Sequence, residues 1–246
     1  MGAYAALAHS TWLGGYDFTT DTNQATLRLS REPLGADVFQ VGLVGRSRRA
    51  GLQDVQASVA GLWQAGSGMV DPAVIAVLGG TVQPVTQSVS GTEQDVAYLY
   101  QAGSFSYEMF GEVGQLTPFS LAIQGARGSG SLSAGAVRGR LLKARGNVSA
   151  TGATGTAYQL GAVGASQYLY ATLHVFGAGT TITAVLESDD NAGFSSATTR
   201  MTFGPITTTG GTWGTRVAGP ITDDYYRIRV TAITGTFSAG AAAGIK

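Results

Sequence analysis

Within residues 51–80, GLQDVQASVAGLWQAGSGMVDPAVIAVLGG, the hydrophobic period switches once, and that switch constrains the fold. Val55, Ala57 and Val59 alternate with smaller or polar residues and run into Leu62-Trp63, the pattern of a half-buried strand. A glycine-rich turn follows, then a short helix. Asp71 is placed to cap it, Pro72 to start it and Gly79-Gly80 to stop it. Nearly every other segment reads as strand. The expected fold is therefore mainly β with one short α-helix.

Charged residues make up 12% of the chain, against about 25% in an ordinary globular domain. Low charge with high hydrophobicity is the opposite of a disordered composition. The surface must then be covered by Ser, Thr, Gly, Ala and Gln, which repel one another little and tolerate repeated self-contact. A formal net charge of +0 provides no general basic field for nucleic acid. The absence of cysteine excludes disulfides, thiolate metal sites and a cysteine nucleophile. The first residues, MGAYAALAHSTW, carry no signal-peptide pattern, and no apolar run approaches the ~20 residues of a spanning helix, so no membrane insertion is expected.

Residues 1–25 read as an arm. Strands are expected at 26–30, 38–44, 81–89, 95–110, 119–124 and 137–144, with Pro84 favouring an edge position and Gly103 a bend or bulge. Residues 45–51, GRSRRAG, read as a loop. Trp63, Tyr98, Tyr100, Tyr107 and Phe110 are expected to pack on the helix through Ile75 and Leu78. Residues 147–157, NVSATGATGTA, are the best linker candidate. Beyond them, strands at 168–176, 180–187, 198–203 and 225–233 with turns between them indicate a second β-sandwich or jelly-roll-like module.

Three runs, GLQDVQASVAGLW, DPAVIAVLGG and YLYQAGSFSYEMFGEVGQLTPFSLAIQG, resemble the tail tube (major tail) proteins of long-tailed, siphovirus-type bacteriophages. QLGAV, YLYATLHVF, AVLESDDNAGF and YYRIRVTAI resemble the C-terminal extension of some of these proteins. The resemblance implies a tail-tube β-sandwich over 1–147 and a smaller outer β-sandwich module over 148–246. It implies a structural virion protein that forms rings, expected as hexamers, stacked into a hollow tube that conducts DNA at ejection. Its partners would be further copies of itself, the other tail proteins (terminator, tape measure, tail tip) and double-stranded DNA only in passage. Assembly would take place in the host cytoplasm. Closing a ring pairs the open sheet edges of each copy with its neighbours.

Charge adds two sets of candidates. No Lys or Arg lies between Arg49 and Arg127, whereas Asp54, Asp71, Glu93, Asp95, Glu108 and Glu112 do. Glu93, Asp95, Glu108 and Glu112 are candidates for an acidic lumen that repels phosphate; the other reading is solvated turn carboxylates. Arg46, Arg48 and Arg49 are candidates for an inter-ring or inter-subunit contact, since guanidinium forks match carboxylates. DNA contact and a solvated loop are the alternatives.

Catalytic constellations are missing from the sequence, and no enzyme, cofactor or metal is expected. His174 sits in an alternating strand, where a lone histidine is usually packed or hydrogen-bonded. Glu187, Asp189, Asp190 and Asn191 lack the order of a calcium loop and read as a turn. Trp213, Tyr168 and Tyr170 leave a sugar-binding face open as a minority reading. The rival functions are a carbohydrate-binding or adsorption module and a cellular tube that does not pass DNA.

Overall fold

The computed structural model describes residues 9–35, 48–126 and 135–246. The first strands are β1 (Ser10–Leu13), β2 (Tyr16–Asp17), β3 (Thr22–Gly35) and β4 (Arg48–Leu62), followed by the helix α1 (Val70–Val77). Then come β5 (Gln83–Ser88), β6 (Val96–Met109), β7 (Pro118–Gly125), β8 (Val137–Val148) and β9 (Gly152–Gln159). β10 (Tyr168–Gly177), β11 (Thr181–Asp189), β12 (Thr198–Ile206), β13 (Gly210–Trp213), β14 (Val217–Ala218), β15 (Tyr225–Thr234) and β16 (Phe237–Ile245) complete the order. The described chain is mainly β, with one short helix.

A 12-stranded sheet runs β13–β10–β16–β8–β6–β5–β1–β2; β14 also pairs with β10, β7 joins the later part of β6, β4 joins β7, and β3 lies outside β4. A 4-stranded sheet, β12–β11–β15–β9, covers part of it. The core between the two sheets, containing Leu142, Leu169, Leu186, Phe203, Tyr226 and Phe237, makes a C-terminal sandwich. A second core joins β4, β7, β6, β5 and β1 to Phe18 and to Val70 and Val74 of α1. A third lies between the halves, where Trp12, Ala97 and Leu99 meet Val137, Leu141, Tyr170 and Ala242. β8, which ends beside the expected division at residue 147, belongs to the sheet that runs through both halves.

β16 explains how the two halves are fused. Its sequence, FSAGAAAGI, has no large residue between Phe237 and Ile245, and Ala239, Ala241, Ala242 and Ala243 are all buried. A strand buried on both faces loses the alternation of polar and apolar residues. Here, Ala241 and Ala243 face the C-terminal core and Ala242 faces the junction. At Gly240 a Cβ would come within 2.6 Å of the Trp12 ring, so the indole packs directly on bare backbone.

Several local expectations are corrected. Part of the N-terminal stretch read as an arm is core: Trp12 is 1% exposed and Phe18 0%. Pro84 does not put β5 at an edge, because β5 pairs with both β1 and β6. Proline is tolerated since the β1 register ends at Val85, one residue short of it. The linker candidate is the end of β8 plus β9, and β9 pairs with β15 from Gly152↔Val230 to Gln159↔Tyr225. Arg48–Gly51, read as loop, opens β4; the strand expected at 38–44 lies outside the described residues. The helix is capped by Met69 without a side-chain hydrogen bond, and Asp71 lies in its first turn. Its buried contacts are Val70 and Val74, not Ile75 and Leu78, while Phe110 is 70% exposed. The expected irregularity near Gly103 is present as a register shift between Ser104 and Ser106.

Candidate assembly surfaces

The β3–β4 hairpin outgrows the sheet that anchors it. β4 pairs with β7 only over Gln56–Leu62, whereas β3 pairs with β4 out to Gly35↔Arg48. Residues 48–55 therefore have β3 as their only strand partner among the described residues. This ribbon is exposed on both faces toward its tip: Leu34 is 52% exposed and Leu52 93%. Leu52 shares strand parity with Asp54 and Gln56, so an apolar side chain stands on the polar face. Arg48 and Arg49 lie at this exposed end, opposite Gly35 and Leu34. Arg46 lies outside the described residues.

The far end of β6 has a different surface. In the turn between β6 and β7, Phe110, Val113 and Leu116 are largely exposed, and Phe105 on the strand is 58% exposed. Phe110 leans on Trp63 with ring centroids 6.0 Å apart. Beneath them Asp71 accepts hydrogen bonds from Trp63 Nε1 at 3.0 Å and the Tyr107 hydroxyl at 3.1 Å. Burial and the Asp71 hydrogen bond push the Tyr107 hydroxyl up to about 12, so it stays a donor. Asp71 thus ties the helix to β6, a use that the capping pattern in the sequence concealed.

The four acidic candidates are not one cluster. Glu93 and Asp95 precede β6, and Glu108 and Glu112 lie at its other end, on the order of 40 Å away at ~3.3 Å per residue. Glu93 accepts a hydrogen bond from the Ala144 amide at 3.1 Å and another from Thr156 Oγ1, with Lys143 Nζ at 3.8 Å. Asp95 accepts from Ser90 Oγ within its own turn. Both carboxylates are committed to internal contacts. Glu108 and Glu112 are exposed, and neither side chain has an ion pair or hydrogen bond among the described residues.

The remaining polar candidates serve the fold. His174 is fully buried between Trp12 and Phe176. Its Nδ1–H donates to the Gly14 carbonyl at 2.8 Å, which leaves Nε2 to accept from Thr86 Oγ1 at 2.9 Å. Burial lowers its pKa to about 4 despite the Gly14 contact and nearby Asp17, so the ring is neutral. Glu187 is buried and bound by Arg227 at 2.9 Å and Arg229 at 3.2 Å. Asp189 closes its turn by accepting from the Asn191 and Ser196 amides at 3.1 and 2.8 Å. The proposed sugar-binding aromatics are already engaged: Tyr170 is 4% exposed and packs on Trp213 at 6.0 Å, and the Arg216 guanidinium covers the Tyr168 ring at 4.0 Å.

No family model and no curated protein matches the chain. Among solved structures, a chain from the virion of a native gene transfer agent particle is 15% identical, with a TM-score of 0.40 over 53% of this chain and 98% of that one. A chain from the tail of an empty gene transfer agent particle, of C6 symmetry, is 14% identical at TM-score 0.41 over 52% and 96%. The Dit protein of phage SPP1, from the hub adsorption apparatus of phages infecting Gram-positive hosts, is 10% identical at TM-score 0.37 over 97% and 99%. Superpositions this loose assign no family.

Proposed function

We propose that this chain is a structural protein of a phage-type tail, working as many identical copies in homo-oligomeric rings that stack into a hollow, DNA-conducting tube. The observation that carries the reading is the β3–β4 ribbon. Its outer half, with Leu34 and Leu52 exposed, has no strand partner but its own hairpin mate among the described residues. An extended, partly apolar ribbon open along one edge invites pairing with another chain, and ring closure is a way to satisfy it without open-ended aggregation. The sequence resemblance to tail tube proteins agrees with this. The low charge of the surface agrees as well.

Negative-stain electron microscopy of the purified full chain, over a rising concentration series, tests the proposal. Rings and hollow stacks with a central channel are the expected result. A species that remains monomeric at the highest soluble concentration, or a monomer that binds glycans instead, overturns it.

A further inference from the structure

We infer that the two ends of β6 are complementary docking surfaces, so that one copy's acidic β6–β7 turn seats in a basic groove of a second copy. This rests on the polymeric reading above and names the contact that would propagate it.

The groove lies between the base of the β3–β4 ribbon and the body. Its volume of about 410 Å³ is lined by Leu29, Arg31, Gln53, Tyr98, Ala136, Arg138, Ile245 and Lys246. Three of these are cations. Arg31 and Arg138 have no carboxylate within ion-pair distance among the described residues, and Lys246 Nζ donates to Gln53 Oε1 at 2.7 Å and to the Ala136 carbonyl at 3.0 Å. Of the nearby carboxylates, Glu32 and Asp54 line an adjoining depression on the ribbon that Arg31 borders as well, without an ion pair to it among the described residues, and Glu93 is held by Lys143 and β8.

At the opposite end of β6, Glu108 and Glu112 have no ion pair among the described residues and stand among exposed Phe110, Val113 and Leu116. Residues 50–126, which supply the turn, α1 and the neighbouring ends of β4 and β7, contain no cation. Tyr98 in the groove and Glu108 lie ten positions apart on one strand, roughly 30 Å at ~3.3 Å per residue, so the turn cannot reach its own groove. Opposite charges at opposite ends of one axis favour a head-to-tail contact. Such a contact repeats along that axis. This use of Glu108 and Glu112 takes the place of a bore-lining one.

The test uses the full chain and sedimentation velocity, with electron microscopy to separate rings from stacks. The double variants R31E/R138E and E108K/E112K should each reduce the fraction in stacks by at least about tenfold, and the quadruple variant carrying both reversals should recover it. Circular dichroism melts identify any variant that fails to fold. The neutral pairs R31Q/R138Q and E108Q/E112Q then supply the second measurement, a shallower loss of stacking with added salt than the unaltered chain shows. If the unaltered chain stacks and the reversed variants stack equally well, or if the quadruple variant is not rescued, the contact is wrong and the tube reading stands. If the unaltered chain forms rings that never stack, the contact is again wrong and the stacked-tube part of the functional reading fails with it. If no ring forms at all, the functional reading itself has failed.

Discussion

The C-terminal sandwich and the β3–β4 ribbon use the same alternating pattern to opposite ends. In the sandwich, each apolar row meets another: Leu186 and Phe203 from one sheet face Leu169 and Phe237 from the other, all at 0% exposure. In the ribbon the apolar row is buried near its base, at Val55, Ala57 and Val59, and becomes exposed toward Leu52 and Leu34. A strand pattern records which face is apolar. It does not record whether the cover belongs to the same copy.

The largest effect should come from breaking the self-sufficient half. Phe203→Ala removes a fully buried ring from the sandwich and should cost about 3–5 kcal/mol of stability in urea unfolding. Since β16 and β8 are shared, the N-terminal half should lose cooperativity in the same transition. Separate transitions for the two halves would contradict the shared sheet.

The next effect is acid-driven and lies at the junction. The His174 pKa is lowered to about 4 from an ordinary 6.5, so the unfolded chain takes up its proton first as pH falls. The stabilising contribution is fully present above 6.5 and drains away between 6.5 and about 4. A shift of that size corresponds to roughly 3 kcal/mol at most. His174→Gln should flatten this part of the stability–pH curve, and an unchanged slope would assign the acid sensitivity elsewhere. Asp71→Ala, which strands the Trp63 and Tyr107 donors, should cost about 1–3 kcal/mol and loosen α1 in hydrogen exchange. The smallest effect on stability should come from Leu52→Ser: a change within about 0.5 kcal/mol, because that side chain is 93% exposed. Weaker assembly at unchanged melting temperature would sharpen the contrast between the two regions.

Most strands were legible because one of their faces is covered and the other is wet. β7 and β15 show that alternation directly, and β6, β10 and β11 were also placed to within a few residues although β10 and β11 are buried on both faces along most of their length. The failures share one cause. β16 and β9 are poor in large side chains: the Gly, Ala and Thr of β9 are read locally as linker, and β16 gives no strand signal at all. What makes them strands is distant: Trp12 packed against Gly240, and β15 paired along β9. Asp71 was visible as a helix-start residue, but its partners Trp63 and Tyr107 lie on other elements, so its bonds were not. Among the site residues, the acidic run was legible as composition. Its division into the committed Glu93 and Asp95 and the exposed Glu108 and Glu112 was not, because Lys143 and Thr156 reach Glu93 from strands far along the chain. The groove cations Arg31, Arg138 and Lys246 are scattered in sequence and converge only through the sheet.

β16 has a kinetic consequence. It slots between β8 and β10, with Ala242 opposite Leu141 on one side and Thr172 on the other. Until that insertion is complete, two strand borders lie bare and Trp12 has no floor beneath its ring. Pairing across such long stretches of chain is slow. In the proposed polymer, a copy without this insertion would offer the wrong borders to its neighbours.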